Sequence, residues 1–373
     1  MPSIIISISN LNRKLFIVGS FVLLASCGGK SMTSESSHSD SSSDFSSSES
    51  SSVIASESSS APASVSSSVV ASNSSSSASS DNNSNQSAFA EFTDPNCLDG
   101  QYIESLPDAN ADIESIIETV YSYTSPTKEQ LAQAQIDVFD LAYPYGAFIL
   151  STVGNEGSGD PNVSCVEAWS NPDDGIFPES VWGIAINECA NALDFKYGQY
   201  FISENNEPSI PDNDYYARGE ISLDKFHSKI PDAAANRFYF EDYTDHLGLQ
   251  TTLGLWSQYI HSVAANYTVY RFPELEYSYD INYMLNFAWA LPRYLLVGEN
   301  RFPDDFNRIM SDPDVRETIL TLWGRTWLYY DAFKENTSWT PGAEELKYLA
   351  AIRDPEIIDM INRVRTQHAC IVN

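Results

Sequence analysis

Basic residues are scarce in this chain. Its 373 residues include 51 Asp and Glu against 20 Lys and Arg, a formal net charge of −31. From Pro95 onward the count is 17 basic and 43 acidic, a formal −26, so the excess lies mostly outside the N-terminal quarter. Such a surface repels nucleic acid, which excludes that partner, and it repels anionic polysaccharide unless cations bridge the two. Adaptation to salty water accounts for the charge more simply than an acidic recognition face. Catalytic signatures are also missing. There is no H-E-x-x-H zinc helix, no G-x-S-x-G elbow, no phosphate-binding glycine loop and no reactive-cysteine context. The reading therefore leans away from an enzyme, and no cofactor is expected. Long apolar runs are missing too: the stretch from Leu15 to Leu24 is too short to span a bilayer.

That stretch follows Arg13 and Lys14 and ends in Leu24-Ala25-Ser26-Cys27. A basic start, a short apolar region and small residues before a cysteine make a processed signal peptide. The tetrapeptide resembles the lipobox of bacterial lipoproteins, which implies that Cys27 carries the lipid. Gly28 and Gly29 follow instead of aspartate, and the resemblance then implies an outer-membrane lipoprotein. Several acyl chains anchor firmly where one is marginal. From Ser31 to about Ser87 the chain is mostly serine and too poor in apolar residues to offset its ordering entropy, so it reads as a disordered tether reaching roughly 40 Å. The expected division is 1–27 signal and lipidated cysteine, 28–94 linker, and 95–373 folded domain.

Four further cysteines, Cys97, Cys165, Cys189 and Cys370, form an even set in an exported chain and suggest two disulfides. Three pairings exist. Cys97 with Cys370, tying the domain's ends, and Cys165 with Cys189 are the favoured ones. No C-x-x-C spacing supports zinc.

The folded part reads as all-α. Leu131, Ala134, Val138 and Leu141 recur at helical intervals before Pro144, and Ser180 to Phe201 is apolar enough for another helix. The region from Val153 to Pro178 reads as loop. Leu249, Leu253, Trp256, Ile260 and Val263 form the clearest stripe, with Asp245 as the expected N-cap. Ile281 to Val297 is apolar nearly all round, with Pro292 expected to kink it. Val315, Ile319, Leu322, Trp323, Trp327 and Tyr330 mark the next helix, and Pro355 to His368 the last. Arg237-Phe238-Tyr239-Phe240 is the best candidate for a strand. Met310-Ser311-Asp312-Pro313-Asp314-Val315 echoes Ile352-Arg353-Asp354-Pro355-Glu356-Ile357 at an offset of 42 residues. That period suits HEAT-like helical pairs, so the expected architecture is an α-solenoid or an irregular helical array.

Candidate chemistry is sparse. His246 and His261 sit 15 residues apart, roughly 22 Å on one helix, and cannot share a metal. Glu241, Asp242 and Asp245 precede the stripe helix, where its dipole favours carboxylates. Beside His246, Glu241 and Asp242 are the candidate acid and base of a glycosidase or lyase. Glu274 and Glu276 would share a face in an extended stretch. Asp212-Asn213-Asp214 and Asp312-x-Asp314 have spacing suited to structural calcium but lack a full ligand set. The chain holds 21 Tyr and 7 Trp. Most belong in a core, and Tyr200, Trp256, Tyr259, Trp289, Trp323 and Trp327 are the candidates for an exposed set that binds protein or sugar.

Several of these segments carry a family resemblance. Tyr197-Gly198-Gln199-Tyr200-Phe201 comes first, then Ile221-Ser222-Leu223-Asp224-Lys225-Phe226 and His246-Leu247-Gly248. Met284, Asn286, Leu295, Gly298 and Asp305-Phe306 follow in order. Together they resemble the N-terminal activator region of bacterial secreted zinc collagenases, a HEAT-like solenoid preceding the peptidase, over about half of the folded domain. The family's H-E-x-x-H helix has no counterpart here, so no catalytic residue carries over. The resemblance implies a module that captures a large extracellular substrate such as collagen-like protein. Two other readings remain: a carbohydrate-active hydrolase or lyase, and a structural envelope lipoprotein.

Overall fold

The computed structural model describes residues 87–108, 110–123, 125–170, 178–211, 215–222, 239–240, 244–270, 278–336 and 339–370. These belong to one compact unit, Asn85–Asn373. Among them are twelve α-helices: α1 Ala88–Phe92, α2 Glu114–Ser122, α3 Lys128–Ala142, α4 Pro144–Val153, α5 Cys165–Trp169, α6 Pro178–Tyr197, α7 Leu249–Val269, α8 Ser278–Arg301, α9 Pro303–Ser311, α10 Pro313–Asn336, α11 Ala343–Ile352 and α12 Pro355–Gln367. The all-α class holds. No strand is formed among the described residues, and pairing is limited to the isolated bridges Gln199↔Ser209 and Ser203↔Asn206.

The apolar spacing places the long helices well. Leu249, Leu253, Trp256, Ile260 and Val263 are all fully buried. Residues on the opposite sides of α7, including Ser257, Gln258 and His261, are buried as well. Pro292 lies within α8 and does not end it. Asp312 and Asp354 both cap helices that begin with proline: Asp312 Oδ1 accepts from Asp314 N, and Asp354 Oδ1 from Glu356 N. Asp312 thus caps α10, and no group of three metal-ligating side chains occurs among the described residues.

Four local expectations are corrected. Leu141 is 51% exposed because α3 ends one residue later, while Leu131, Ala134 and Val138 are buried. Pro144 starts α4 where it was expected only to end α3, since a proline needs no amide partner at a first turn. The loop between α4 and α6 contains α5, set by a Ser164–Glu167 capping box. Asp245 does not cap α7, whose N-cap is Gly248. Instead the Asp245 carbonyl accepts from Gly219 N at 2.8 Å, tying residues 244–247 to the short 3₁₀ turn Arg218–Ile221.

The packing is that of an irregular array, not of a one-dimensional stack. Helix α8 touches α7, α9, α10, α11 and α12, whereas a solenoid repeat meets only its neighbours. The two ends of the unit also meet. Helix α1 packs on α10, Cys97 is bonded to Cys370, and buried Arg365 donates to buried Asp99 and to the Phe92 carbonyl. Gly324 permits this, because a Cβ there would lie 2.4 Å from the Asp99 carbonyl oxygen. The second bond, Cys165–Cys189, fastens α5 to α6. The folded unit therefore starts ahead of Pro95. Ala88 and Phe92 are buried, and the single turn Ala88–Phe92 is too short to show a period in the sequence.

Candidate functional site

Arg325 and His261 meet inside the helical body with no solvent exposure. Arg325 and Tyr329 are one turn apart on α10, so they leave it on one face. His261 comes from α7. Tyr143 sits at the junction of α3 and α4, its ring so close that a Cβ on Gly146 would lie 2.4 Å away. Glu104 belongs to a segment, residues 102–107, with neither helix nor strand.

Distances define the network. Arg325 Nε donates to Glu104 Oε2 at 2.7 Å, and Nη2 donates to Oε1 at 3.2 Å. The hydroxyls of Tyr329 and Tyr102 donate to the same carboxylate. Arg325 Nη2 also reaches Tyr143 Oη at 3.2 Å. Tyr143 Oη lies 2.7 Å from His261 Nδ1, and His261 Nε2 lies 2.6 Å from the Phe201 carbonyl. A carbonyl only accepts, so Nε2 carries the proton. Burial, and then the charge of Arg325, hold the His261 pKa well below its ordinary value. The ring is therefore neutral, and the Tyr143 hydroxyl donates to Nδ1. Burial works against the Arg325 charge, but Glu104 and the tyrosines outweigh it. Burial also pushes the Tyr143 and Tyr329 hydroxyls far up, keeping them neutral donors. His261 has no lone pair to spare as a general base, whereas Arg325 and Tyr329 together make a receptor for a carboxylate.

The network runs outward into an aromatic surface. The Tyr145 ring is 5.9 Å from His261 and stacks on Phe148 at 5.7 Å. Phe201 bridges Phe148 and Tyr197, with ring centroids at 6.4 and 5.7 Å. Phe148 is 43% and Tyr197 50% exposed, and Lys196 lies over the Tyr197 ring. Gly198 ends α6 with φ +68°, turning the chain so that Phe201 N–H reaches buried Asp194 at 2.8 Å. A cavity of about 10 Å³, room for one water, lies alongside against Asp194, Phe195, Tyr200 and Gln258.

A second polar cluster lies where α6, α7 and α8 meet. Asp280 accepts from Ser262 at 3.0 Å and from Asn266. Burial raises the Asp280 carboxyl and pushes that of Glu188, on α6, up to about 7.

No family matches. Searches against protein-family models, curated proteins and solved structures found no similarity to this chain.

Sequence-predicted site residues fare unevenly. Cys27, Glu241, Asp242, the Asp212–Asp214 run, Glu274 and Glu276 lie outside the described residues. His246 is exposed, 3.9 Å from Asp245. The proposed exposed aromatic set is corrected: Trp256, Trp289, Trp323 and Trp327 have no exposure, and Tyr200 has 1%. Trp323 donates to the Phe92 carbonyl at 2.7 Å and Trp256 to Thr326 at 2.9 Å, while Trp327 stacks on Phe92. Helices buried on all sides put their largest rings in the core, where most apolar area is removed from water. Half-buried Tyr259 stacks on Tyr283 at 4.7 Å. The disulfides match the favoured pairing. Sequence reasoning missed Glu104, Tyr143, Arg325 and Tyr329 and gave His261 no role. One signal was available, a lone arginine between Trp323 and Trp327 in an apolar stripe, since buried arginines are paired.

Proposed function

We propose that this chain is a lipid-anchored, non-catalytic helical domain that captures a large extracellular polymer, with collagen-like protein as the first candidate. The observation that carries this reading is the exposed ring pair Phe148 and Tyr197, joined through the buried ring of Phe201 and held on a buried hydrogen-bonded base. Rigid aromatic anchors bind extended partners at low entropic cost. The lipobox-like Cys27 and the serine-rich stretch after it support display from the outer membrane. The collagenase-activator resemblance supports a protein partner. The test is co-sedimentation of the Asn85–Asn373 unit with fibrillar collagen, gelatin, chitin and cellulose at low and high salt. Selective pelleting with collagen or gelatin, lost in the Phe148→Ala/Tyr197→Ala double variant, is the expected result. Pelleting with none of the four refutes capture and leaves a structural envelope role.

A second reading, a carbohydrate-active hydrolase or lyase, is favoured by Glu188, whose raised pKa suits a general acid at neutral pH. Its test is reducing-end release from polysaccharides. Rates unchanged in Glu188→Gln, Glu241→Gln and Asp242→Asn reject those residues as its catalysts.

A further inference from the structure

We infer that Arg325 and Tyr329 form a carboxylate-binding pocket that Glu104 fills from within the chain, and that an acidic side chain of an extended partner polypeptide takes the same place.

Glu104 sits in this pocket as a ligand would. Its carboxylate receives the two-pronged Arg325 contact and the Tyr329 hydroxyl from the helical body. Tyr143, held by His261, steadies the guanidinium from the other side. The Arg325 side chain is fully buried, and Glu104 keeps only 9% exposure. A planar fork with a hydroxyl beside it is the donor geometry that selects carboxylates.

The segment bearing Glu104 is held by side chains, with Tyr102 and Pro107 buried, and not by its main chain. Among the described residues, no main-chain amide from Tyr102 to Leu106 donates to another main-chain group, and no carbonyl from 102 to 107 accepts from one. Main-chain bonds resume only at its ends, with Gln101 N on the Cys97 carbonyl and Asp108 N on the Ala142 carbonyl. Ile103, beside the buried carboxylate, is 90% exposed. Side chains therefore fix this strap. A buried charge left without its partner is costly, so only a group that restores both Arg325 contacts, a carboxylate in trans, can take the place of Glu104. The strap is itself an extended peptide presenting one glutamate, and the partner that matches it best has the same chemistry. The aromatic surface begins one ring away, where Tyr145 faces His261. The inference rests on the capture reading only in taking the partner to be a polypeptide.

The experiment uses the full chain and chymotryptic cleavage after Tyr102, whose side chain is 8% exposed while the strap is seated. The probes are an unrelated extended peptide, acetyl-Gly-Ser-Glu-Gly-Ser-amide, its Gln counterpart, and an oligoglucuronate. The Glu peptide is expected to speed cleavage of the wild type at least threefold, and the Gln peptide to leave it unchanged. In Glu104→Ala, the Glu peptide is expected to bind at least tenfold more tightly than the Gln peptide. Glu104→Gln, which keeps the side-chain volume, replaces that variant if its helical circular dichroism is lost. Cleavage of the wild type unaffected by the Glu peptide overturns the inference, as does equal binding of the two peptides. Acceleration by the oligoglucuronate alone overturns the choice of a polypeptide. Phe148→Ala/Tyr197→Ala separates the two proposals, because it is expected to abolish polymer capture and leave strap displacement intact.

Discussion

Asp194 and His261 hold the main chain of one residue, Phe201, at its amide and at its carbonyl. The Phe201 amide donates to Asp194 Oδ1 at 2.8 Å, and the Phe201 carbonyl accepts from His261 Nε2 at 2.6 Å. The two residues come from neighbouring helices, α6 and α7, and both are buried. A chain segment outside any helix is thereby fixed at both main-chain groups of Phe201, whose buried ring bridges the exposed rings of Phe148 and Tyr197. Phe201 links the buried network to the proposed binding face.

His261→Ala is predicted to leave the Phe201 carbonyl and the Tyr143 hydroxyl without their partner and to open a cavity. The expected loss is about 3 kcal/mol, combining unmet polar groups with lost packing. Urea unfolding monitored by circular dichroism measures it. A midpoint equal to that of the wild type would show that the clamp contributes nothing.

Buried His261 and half-buried Glu188 give opposite pH dependences. The His261 pKa is depressed in the folded state, so the unfolded chain takes up the proton first as pH falls. Stability is complete above the ordinary histidine value of about 6.5 and falls below it, by at most about 1.4 kcal/mol per pH unit. Glu188 is raised from 4.5 to about 7, so the unfolded chain loses its proton first as pH rises. Its contribution is full below 4.5 and is lost as pH rises to about 7. Glu188→Gln should therefore gain thermal stability over the wild type progressively across that window. A constant difference in Tm from pH 4.5 to 7 would contradict the assignment.

Removing the two disulfides should cost unequal amounts. Cys97–Cys370 spans 273 residues and Cys165–Cys189 spans 24. Chain-entropy scaling gives about 5.6 and about 3.5 kcal/mol respectively. Thermal unfolding of the two Cys→Ser double variants compares them, and a larger loss from the shorter loop would contradict the prediction.

Asp331 anchors the first helix. Its carboxylate accepts from Ala88 N at 2.9 Å, Phe89 N at 2.8 Å and the Ser87 hydroxyl. Asp331→Ala is predicted to free α1 from α10 at a cost of about 2 kcal/mol. Chymotryptic cleavage at Phe89 and Phe92 should then precede global unfolding. Protection equal to that of the wild type would show that burial of Phe92 alone holds α1.

The amino-acid sequence by itself determined the helices and where the long ones lie. Apolar residues at steps of three and four, such as Leu249 to Val263, have no other economical way to leave water. Asp-Pro pairs set helix starts locally, at Pro313 and Pro355, because capping needs only neighbours in the chain. The even cysteine count and their spread allowed the pairing to be favoured in advance. Tertiary structure alone decided which aromatic rings face solvent. A period marks one face of a helix, yet α7 and α8 are buried on nearly all sides, and the candidate tryptophans went inward. Tertiary structure also decided the polar centre. Glu104 and Arg325 are 221 residues apart, and only the closure of the chain's two ends brings one charge to the other. Such pairs leave no period or spacing in a sequence, because their partners are selected by folding and not by neighbourhood.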